Sequence, residues 1–380
     1  MPTADRYDHS MQEMMARTGS FPLHVPYGLV RRFGRPGGVV LDPFCGKGTS
    51  ILAARLLGRP AYGLDVAPEA VICSRAKLLA TDVRAVESYI RRLPTDDGDC
   101  ADVPDEVRIF FHPATLSQIL SVRDALLHDV DLGRRATRSC ATVALGLLLG
   151  ILHGHASYSL SLPSSHAYSM SPQYVQRYSQ EHGLTAPLRS VQECLLAKAA
   201  RCFRDPLPPS VAGDVMEAPA AAVATAFPEL TGRVDLVVTS PPYLAAQTYA
   251  KDNRLRLWLL NRSYPTIRAQ YIQTQSIDRY RDLLTEAFAA IAKALRRSGK
   301  LVCIAGDVRH TTTSKGERRT DVIRTGDLLA DICRSRQVGL RITHRSVHRV
   351  VGGRRYLNAL ANSNGHSQRD MVERVFVAER

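Results

Sequence analysis

The chain of 380 residues lacks the features that would place it in a membrane, outside the cell or around a metal ion. No apolar run reaches the roughly 18 residues that a membrane-spanning helix needs, and the longest, Val143–Leu152, is interrupted by Gly146 and Gly150. The N-terminus has no basic stretch followed by an apolar one, so we expect no secretory signal. The eight cysteines form no C-x-x-C pair. We therefore predict reduced thiols, a cytoplasmic protein and no metal site.

Acidic residues are in the minority, because 36 Asp and Glu stand against 50 Lys and Arg and leave a formal net charge of +14. Such an excess favours a polyanionic partner, nucleic acid among them, but it does not indicate a fold. Apolar residues make up 45% and charged residues 23%, as in globular proteins. This excludes wholesale disorder, collagen and coiled coil, and the length predicts one large or two ordinary domains.

A strand–loop–helix–strand unit near the N-terminus predicts an α/β fold with a mostly parallel, doubly wound sheet. The order along the chain places a helix, SILAARLLG, between the first two strands, and another helix over Leu283–Arg297. Buried strands are predicted at Gly38–Asp42, Ala61–Asp65, near Val211, at Val234–Thr239 and at Lys300–Ala305, and a terminal antiparallel pair at Arg341–Val350 and Met371–Ala378.

A long segment separates the second and third predicted strands. It spans about residues 75–205 and has the apolar spacing of helices at Leu116–Leu127 and Ala141–Leu152. Because a loop of this length is rare within an α/β unit, we predict a mainly helical inserted subdomain, with residues 1–74 and 206–380 forming the other domain. Its stretch His153–Arg177 interleaves His, Ser, Tyr and Arg, which can contact base edges or stack on bases. A packed helical cap is the alternative.

The loop DPFCGKGT, Asp42–Thr49, lies between the first strand and its helix. Gly46 and Gly48 let the backbone approach a ligand, and the helix N-terminus offers N–H groups. A P-loop does not fit, since Gly48 separates Lys47 from Thr49, and the third glycine of a dinucleotide loop is missing. The acidic Asp42 at the strand end suits a cofactor that carries positive charge, such as a sulfonium or an amino acid ammonium.

Two more aspartates are predicted at strand ends. Asp65 ends the second strand and is well placed to bond two ribose hydroxyls. Asp214 is predicted to end the third strand and to accept from an adenine amino group. The alternative for each is a solvated aspartate that caps a helix.

The stretch TSPPY, residues 239–243, follows a buried strand. Two prolines fix φ and remove two N–H groups, so they predict a stiff turn at the carboxyl edge of the sheet, where open α/β sheets bind ligands. The Ser240 hydroxyl and the carbonyl of Pro241 or Pro242 can hold both hydrogens of an exocyclic amine, while the Tyr243 ring stacks on the base. Such an arrangement favours an amine lone pair that points at a donor methyl group.

Together, DPFCGKGT and TSPPY resemble the cofactor and catalytic motifs of the S-adenosylmethionine-dependent DNA amino methyltransferases, which make N4-methylcytosine or N6-methyladenine. The resemblance covers roughly residues 21–80 and 208–380, and S-P-P-Y is more typical of the N4-cytosine enzymes. It implies a Rossmann-like class I methyltransferase sheet, S-adenosyl-L-methionine as cofactor, double-stranded DNA as partner and room for a cognate restriction endonuclease acting on the same site. By resemblance, the methionine part of the cofactor would contact Phe44, Gly46, Gly48 and Thr49. Its ribose would contact Asp65, and its adenine would contact Asp214. The target base would contact Ser240, Pro241, Pro242 and Tyr243.

Two features depart from the family pattern. The glycine loop precedes the catalytic turn, whereas many S-P-P-Y enzymes have the reverse order, and the insertion lies between the second and third strands. An adenine-N6 DNA enzyme, an RNA base N-methyltransferase and a non-catalytic nucleic-acid-binding protein with the same fold therefore stay open as alternatives.

Basic residues are concentrated between Arg309 and Arg355. An enzyme that takes a base out of the stack needs phosphate contacts along the flanking duplex. We expect these contacts from a loop over His310–Thr320 and from the segment after the catalytic turn, although a solvated loop is the alternative. The candidates for DNA contact are Lys251, Arg254, Arg309, Lys315, Arg318 and Arg319.

Overall fold

The computed structural model describes residues 8–17, 19–79, 82–96, 98–130, 139–154, 156–163, 172–242, 244, 249–272, 274, 276–314, 317–350 and 371–380. Over these ranges, no helix is both long and apolar enough to cross a membrane.

Seven of the nine described strands form one central sheet, in the order β3-β2-β1-β4-β5-β9-β8. Strands β1 to β5 run parallel, and β9 runs antiparallel to both of its neighbours. This confirms the predicted Rossmann-like, mostly parallel sheet with an antiparallel pair at its end. The strand bounds are β1 Val40–Asp42, β2 Ala61–Asp65, β3 Gly213–Glu217, β4 Val234–Thr239, β5 Leu295–Gly306, β6 Val308–Ser314, β7 Glu317–Ile323, β8 Arg341–Val350 and β9 Met371–Glu379.

Helices cover both faces of the sheet. The described helices are α1 His24–Phe33, α2 Thr49–Leu56, α3 Pro68–Leu79, α4 Val83–Arg91, α5 Asp105–Arg108, α6 Pro113–Asp129, α7 Ser139–Ile151, α8 Pro172–Glu181, α9 Val191–Cys202, α10 Val223–Ala226, α11 Tyr249–Asp252, α12 Arg254–Leu259, α13 Tyr264–Gln270, α14 Ile277–Ala294 and α15 Thr325–Arg334. Side chains alternate between the faces along each strand: Val237 and Leu301 pack with α14 and α15, whereas Leu236 and Val302 pack with α1, α2 and α3.

Helices α4 to α9 lie between β2 and β3, where the helical insertion is predicted. Their apolar side chains form a single cluster with α3 and with the N-terminal Met11, Met14 and Met15. The predicted boundary at residue 75 lies inside α3. The insertion therefore packs directly onto the helix that follows β2.

The N-terminal segment is fixed between α3 and the insertion by two buried ammonium groups. Lys77 Nζ donates to Gln12 Oε1 at 2.7 Å, and Lys198 Nζ donates to the Glu13 carbonyl at 2.5 Å. Gly150 permits the close approach, because a Cβ there would lie 1.8 Å from the Met14 carbonyl oxygen. These contacts position the segment that precedes Arg17, which lines the cavity at the carboxyl edge of the sheet.

Candidate active site

A cavity opens at the carboxyl ends of the parallel strands. Carboxyl ends of parallel strands meet at one edge, which is why segments distant in the sequence line the same space. The walls come from residues 17, 19–21, 42–47, 49, 65–66, 218–220, 240, 242 and 270–272. The glycine loop and the proline turn, which are about 190 residues apart, therefore share one cavity.

Asp42 ends β1 and is 2% exposed. Its Oδ1 accepts from the Thr239 hydroxyl at 2.6 Å and from the Phe44 backbone N–H at 3.2 Å. Burial raises the pKa of this carboxyl to about 6, against the opposing effect of these hydrogen bonds. A buried carboxylate of this kind is stabilised by a bound cation.

The two glycines of the loop have different tasks. Gly46, at φ +51°, lines the cavity, and a Cβ there would meet no atom closer than 3.8 Å. Gly48, at φ +75°, precedes α2, where a Cβ would lie 2.6 Å from Ser74 Oγ, and it does not line the cavity. Gly46 therefore leaves room for a ligand, whereas Gly48 lets α2 pack against α3. Phe44 and Thr49 line the cavity beside Gly46.

Asp65 ends β2 and faces the cavity. Its Oδ2 accepts from the Gly46 N–H at 2.8 Å, and its Oδ1 accepts from the Ala67 N–H at 2.9 Å. These two backbone donors fix the orientation of the carboxylate. Since each carboxylate oxygen has a second lone pair, the pair of oxygens can accept from two neighbouring hydroxyls.

Asp214 does not join this site, and the prediction that it ends the third strand is wrong. β3 begins at Gly213 and pairs in register with β2, so that Glu217, rather than Asp214, lies opposite Asp65. Asp214 is buried near the amino end of the strand, with its Oδ1 3.4 Å from Arg75 Nε. The turn after β3, residues 218–220, lines the cavity instead.

The proline turn begins where β4 ends, at Thr239. Ser240 and Pro242 line the cavity, whereas Pro241 is buried in the turn. The Pro242 carbonyl accepts from the hydroxyl of Tyr280, a fully buried residue of α14, at 2.8 Å. This hydrogen bond ties the turn to the helix below it. Tyr243 lies outside the described residues.

Two cavity residues outside the two motifs, Arg17 and Tyr271, were not predicted from the sequence. Arg17 forms an ion pair with the fully buried Glu69, and Arg17 and Tyr271 both line the cavity. Burial raises the pKa of Tyr271 well above its usual range. The one sequence signal was Glu69, an acid in the first turn of α3 and four residues after Asp65.

The described DNA-contact candidates follow β4 and β5 along the chain. Lys251 is exposed on α11 and Arg254 begins α12, both after the proline turn. The predicted loop over 310–320 is instead an antiparallel hairpin, because β6 and β7 pair from Val308 opposite Ile323 to Ser314 opposite Glu317. It follows the carboxyl end of β5 and holds Arg309 on β6, and Arg318 and Arg319 on β7. Lys315 lies outside the described residues.

Residues 5–74 match the N6/N4-type family model described as DNA methylase. The chain is also 46% identical over 50 residues to the Type II methyltransferase M.MjaI of Methanocaldococcus jannaschii. That match covers 13% of this chain and 16% of the relative. The match to this relative therefore spans about a sixth of the relative's length.

Among solved structures, TrmN from Thermus thermophilus aligns over 97% of this chain and 52% of its own, at 14% identity and a TM-score of 0.36. A SAM-dependent methyltransferase from Methanosarcina mazei aligns over 93% of this chain and 96% of its own, at 8% identity and a TM-score of 0.33. At these scores neither structure bears on what this chain does.

Proposed function

We propose that this chain, whose residues 5–74 match the DNA methylase family model, transfers a methyl group from S-adenosyl-L-methionine to the exocyclic amine of a base in double-stranded DNA. The observation that carries the proposal is the shared cavity. Asp42 and Asp65 face it from the cofactor side, Ser240 and Pro242 from the other. Donor and acceptor can therefore meet in one space.

The cofactor is S-adenosyl-L-methionine, and the residues present fit it. When bound, it supplies an electrophilic methyl group on a sulfonium. The buried Asp42 carboxylate favours a cation at the end of β1, and Asp65, fixed by two backbone donors, accepts from two ribose hydroxyls. The open space over Gly46 lets the ligand lie against the backbone.

The proline turn receives the target base. An exocyclic amine is a weak nucleophile, since its lone pair is delocalised into the ring. The Ser240 hydroxyl and the carbonyl of Pro241 accept the two amine hydrogens, which favours a pyramidal nitrogen whose lone pair points into the cofactor side of the cavity. The Pro242 carbonyl is engaged by Tyr280, so it holds the turn in place. Tyr243 stacks on the base.

Cytosine N4 is the favoured target within this chemistry. A serine hydroxyl, rather than a carboxylate or a carboxamide, precedes the two prolines, and this form is the more typical of the N4-cytosine enzymes. Adenine N6 is the second candidate, because it presents the same kind of amine to the same turn.

The experiment is methylation of unmethylated, mixed-sequence duplex DNA with methyl-labelled cofactor, followed by nucleoside mass spectrometry. We expect labelled N4-methylcytosine, and Gly46→Val as the control should give none. Labelled N6-methyladenine in place of labelled N4-methylcytosine would identify adenine N6, rather than cytosine N4, as the target. Absence of labelled nucleoside from a protein that is folded would contradict the proposal.

The helical insertion and the basic hairpin β6–β7 would then hold the duplex on either side of the target base, the insertion serving target recognition. The name of the Type II relative extends the proposal to a cognate restriction endonuclease with the same recognition site. Mapping the methylated positions by long-read sequencing would define that site, and scattered methylation without a common sequence would contradict it.

A further inference from the structure

One wall of the cavity holds an arginine that neither motif supplies. Arg17 lines the cavity, and its side chain is 6% exposed. Its backbone is fixed, because the Ser20 hydroxyl donates to the Arg17 carbonyl at 3.1 Å and the two buried ammonium groups hold the segment that precedes it. A guanidinium stays protonated at any physiological pH. Arg17 therefore places a permanent positive charge at the cavity wall.

The side chain of Arg17 lies beside the glycine loop. A Cβ added at Gly46 would have Arg17 Nε at 3.8 Å and Arg17 Cδ at 4.0 Å as its nearest atoms, which are ordinary contact distances. The Gly46 N–H donates to Asp65, which also lines the cavity. Arg17 and Gly46 therefore border the same part of the cavity, where the backbone is open to a ligand.

An ion pair with Glu69 of α3 orients the Arg17 guanidinium. Arg17 Nη1 contacts Glu69 Oε1, and the Glu69 side chain is fully buried. Glu69 does not line the cavity, so the pair extends from the cavity wall into the interior. A guanidinium carries five N–H donors in a planar fork. An ion pair through one nitrogen is therefore compatible with a second carboxylate on the cavity side.

The charges of the cofactor require a cation on this wall. S-adenosyl-L-methionine carries a sulfonium and an ammonium, which are positive, and a carboxylate, which is negative. Asp42 and Asp65 line the cavity and can accept from the cationic and hydroxyl groups of the ligand. Neither can hold the ligand carboxylate, because like charges repel. That group needs a positively charged partner.

Arg17 and Lys47 are the two cationic side chains among the described residues that line the cavity. Asp65, a lining residue, is one of the groups that act electrostatically on Arg17. The ionisable groups that act on the Lys47 ammonium, by contrast, all lie outside the cavity lining: Cys73, Asp8, Arg256 and Lys198. Arg17 is therefore the better placed of the two cations to meet an anionic group of the ligand.

We propose that Arg17 holds the carboxylate at the methionine end of S-adenosyl-L-methionine and makes the site selective for ligands that carry this group. The inference rests on the proposed function, because it takes this cofactor as the ligand. Arginine and a carboxylate form two parallel N–H···O bonds, so the contact adds orientation as well as affinity. Asp42 then takes a cationic group of the cofactor and Arg17 the anionic one, which distinguishes the two ends of the amino acid.

The test measures the binding of two thioether ligands by isothermal titration calorimetry. S-adenosylhomocysteine keeps the whole amino-acid group, and its decarboxylated analogue lacks only the carboxylate. The quantity compared is the ratio of the two Kd values, which a general loss of packing leaves unchanged. We expect the wild type to bind S-adenosylhomocysteine about ten-fold or more tightly than the analogue, in the range of a hydrogen bond to a charged group.

Arg17→Gln should bring the two Kd values within about two-fold of each other, by weakening the binding of S-adenosylhomocysteine alone. This substitution also leaves the buried Glu69 without its cation, which is strongly destabilising. The double variant Arg17→Gln with Glu69→Gln removes both charges and should give the same small ratio in a folded chain. Arg17→Lys keeps the charge without the planar fork and should keep part of the wild-type ratio.

Arg201→Gln is the matched control. It removes an exposed arginine that pairs with Glu13 of the same N-terminal segment, and it leaves Arg17 in place. We expect its ratio of Kd values to stay within about two-fold of the wild-type ratio. A loosened N-terminal segment is thereby distinguished from the loss of the carboxylate contact.

If the wild type binds S-adenosylhomocysteine and methylates DNA while the folded Arg17 variants keep the wild-type ratio, the role of Arg17 is wrong and the proposed function stands. The same holds if these variants weaken both ligands equally. If the folded wild type binds neither S-adenosyl-L-methionine nor S-adenosylhomocysteine, the proposed function fails and this inference fails with it.

Discussion

The hydroxyl of Thr239 donates to Asp42 Oδ1 at 2.6 Å, and this hydrogen bond joins the last residue of β4 to the last residue of β1. β1 and β4 are neighbours in the sheet, so the two motifs that follow them begin side by side. The glycine loop and the proline turn therefore both begin at this buried pair, Asp42 and Thr239.

Thr239→Val should distinguish the effect of this hydrogen bond from the effect of side-chain packing, because valine has nearly the shape of threonine but no hydroxyl. Loss of the donor leaves the buried Asp42 less well satisfied, which we expect to cost about 1–3 kcal/mol of unfolding free energy. Denaturant unfolding measures the loss, and Thr239→Ser, which keeps the hydroxyl, is the control. Equal stability of both variants would contradict an energetic role for the bond.

Asp42 predicts opposite pH dependences for stability and for cofactor binding. Burial raises its pKa to about 6, so between its usual value and about 6 the folded state binds more protons than the unfolded state. The contribution of Asp42 to stability therefore increases as the pH falls through this window. A cationic ligand needs the carboxylate, so cofactor affinity should fall over the same window.

Calorimetric titration of S-adenosyl-L-methionine between pH 5 and pH 8 would follow this effect, with the pH range chosen to bracket about 6. Asp42→Asn should bind the cofactor more weakly and lose this part of the pH dependence. A wild-type affinity that stays constant through pH 6 would show that Asp42 does not hold the cation.

Gly46 and Gly48 form a matched pair for substitution by alanine. Both have positive φ, which costs a non-glycine residue about 1–2 kcal/mol, but only at Gly48 would the new Cβ also collide with Ser74. We expect Gly48→Ala to lower the thermal unfolding midpoint more than Gly46→Ala. Cofactor affinity should instead fall more in Gly46→Ala, and the reverse order in the two measurements would contradict the assigned tasks.

Tyr271 and Arg17 both line the cavity. Tyr271→Phe keeps the ring and removes its hydroxyl, so we expect cofactor affinity to weaken by the value of about one hydrogen bond, 0.5–1.5 kcal/mol. Tyr271→Ala should weaken it further because the wall itself is lost. Isothermal titration distinguishes the two, and unchanged affinity in Tyr271→Ala would remove this residue from the cofactor site.

The strands that position the site were predictable because they are short, apolar and followed by chemically distinctive turns. β2 and β4 have the predicted bounds, and β1 differs by two residues. By contrast, the helix predicted over 283–297 ends at Ala294, because Leu295 already pairs with Val234 of β4. Pairing between distant segments decided that boundary, and local propensity could not.

The candidate site divides in the same way. Asp42, Gly46 and Asp65 are recognisable from the motif that contains them or from the end of a short strand. The position of Asp214 depended on where β3 begins, which the register with β2 decides. Arg17 precedes the glycine loop in the sequence, and Tyr271 follows the proline turn. The two residues line one cavity only in the folded chain, so no local sequence pattern marks them.

The most direct measurement of the central claim is transfer of a labelled methyl group to duplex DNA by Ser240→Ala beside the wild type, with cofactor affinity measured on the same samples. Ser240 lines the shared cavity, and we propose that its hydroxyl holds the target amine. The account therefore predicts a loss of about a hundred-fold or more in transfer rate, comparable to removal of an oriented transition-state contact, with S-adenosyl-L-methionine affinity within about two-fold of the wild type. Transfer at the parental rate, or loss of cofactor binding in place of transfer, would contradict it.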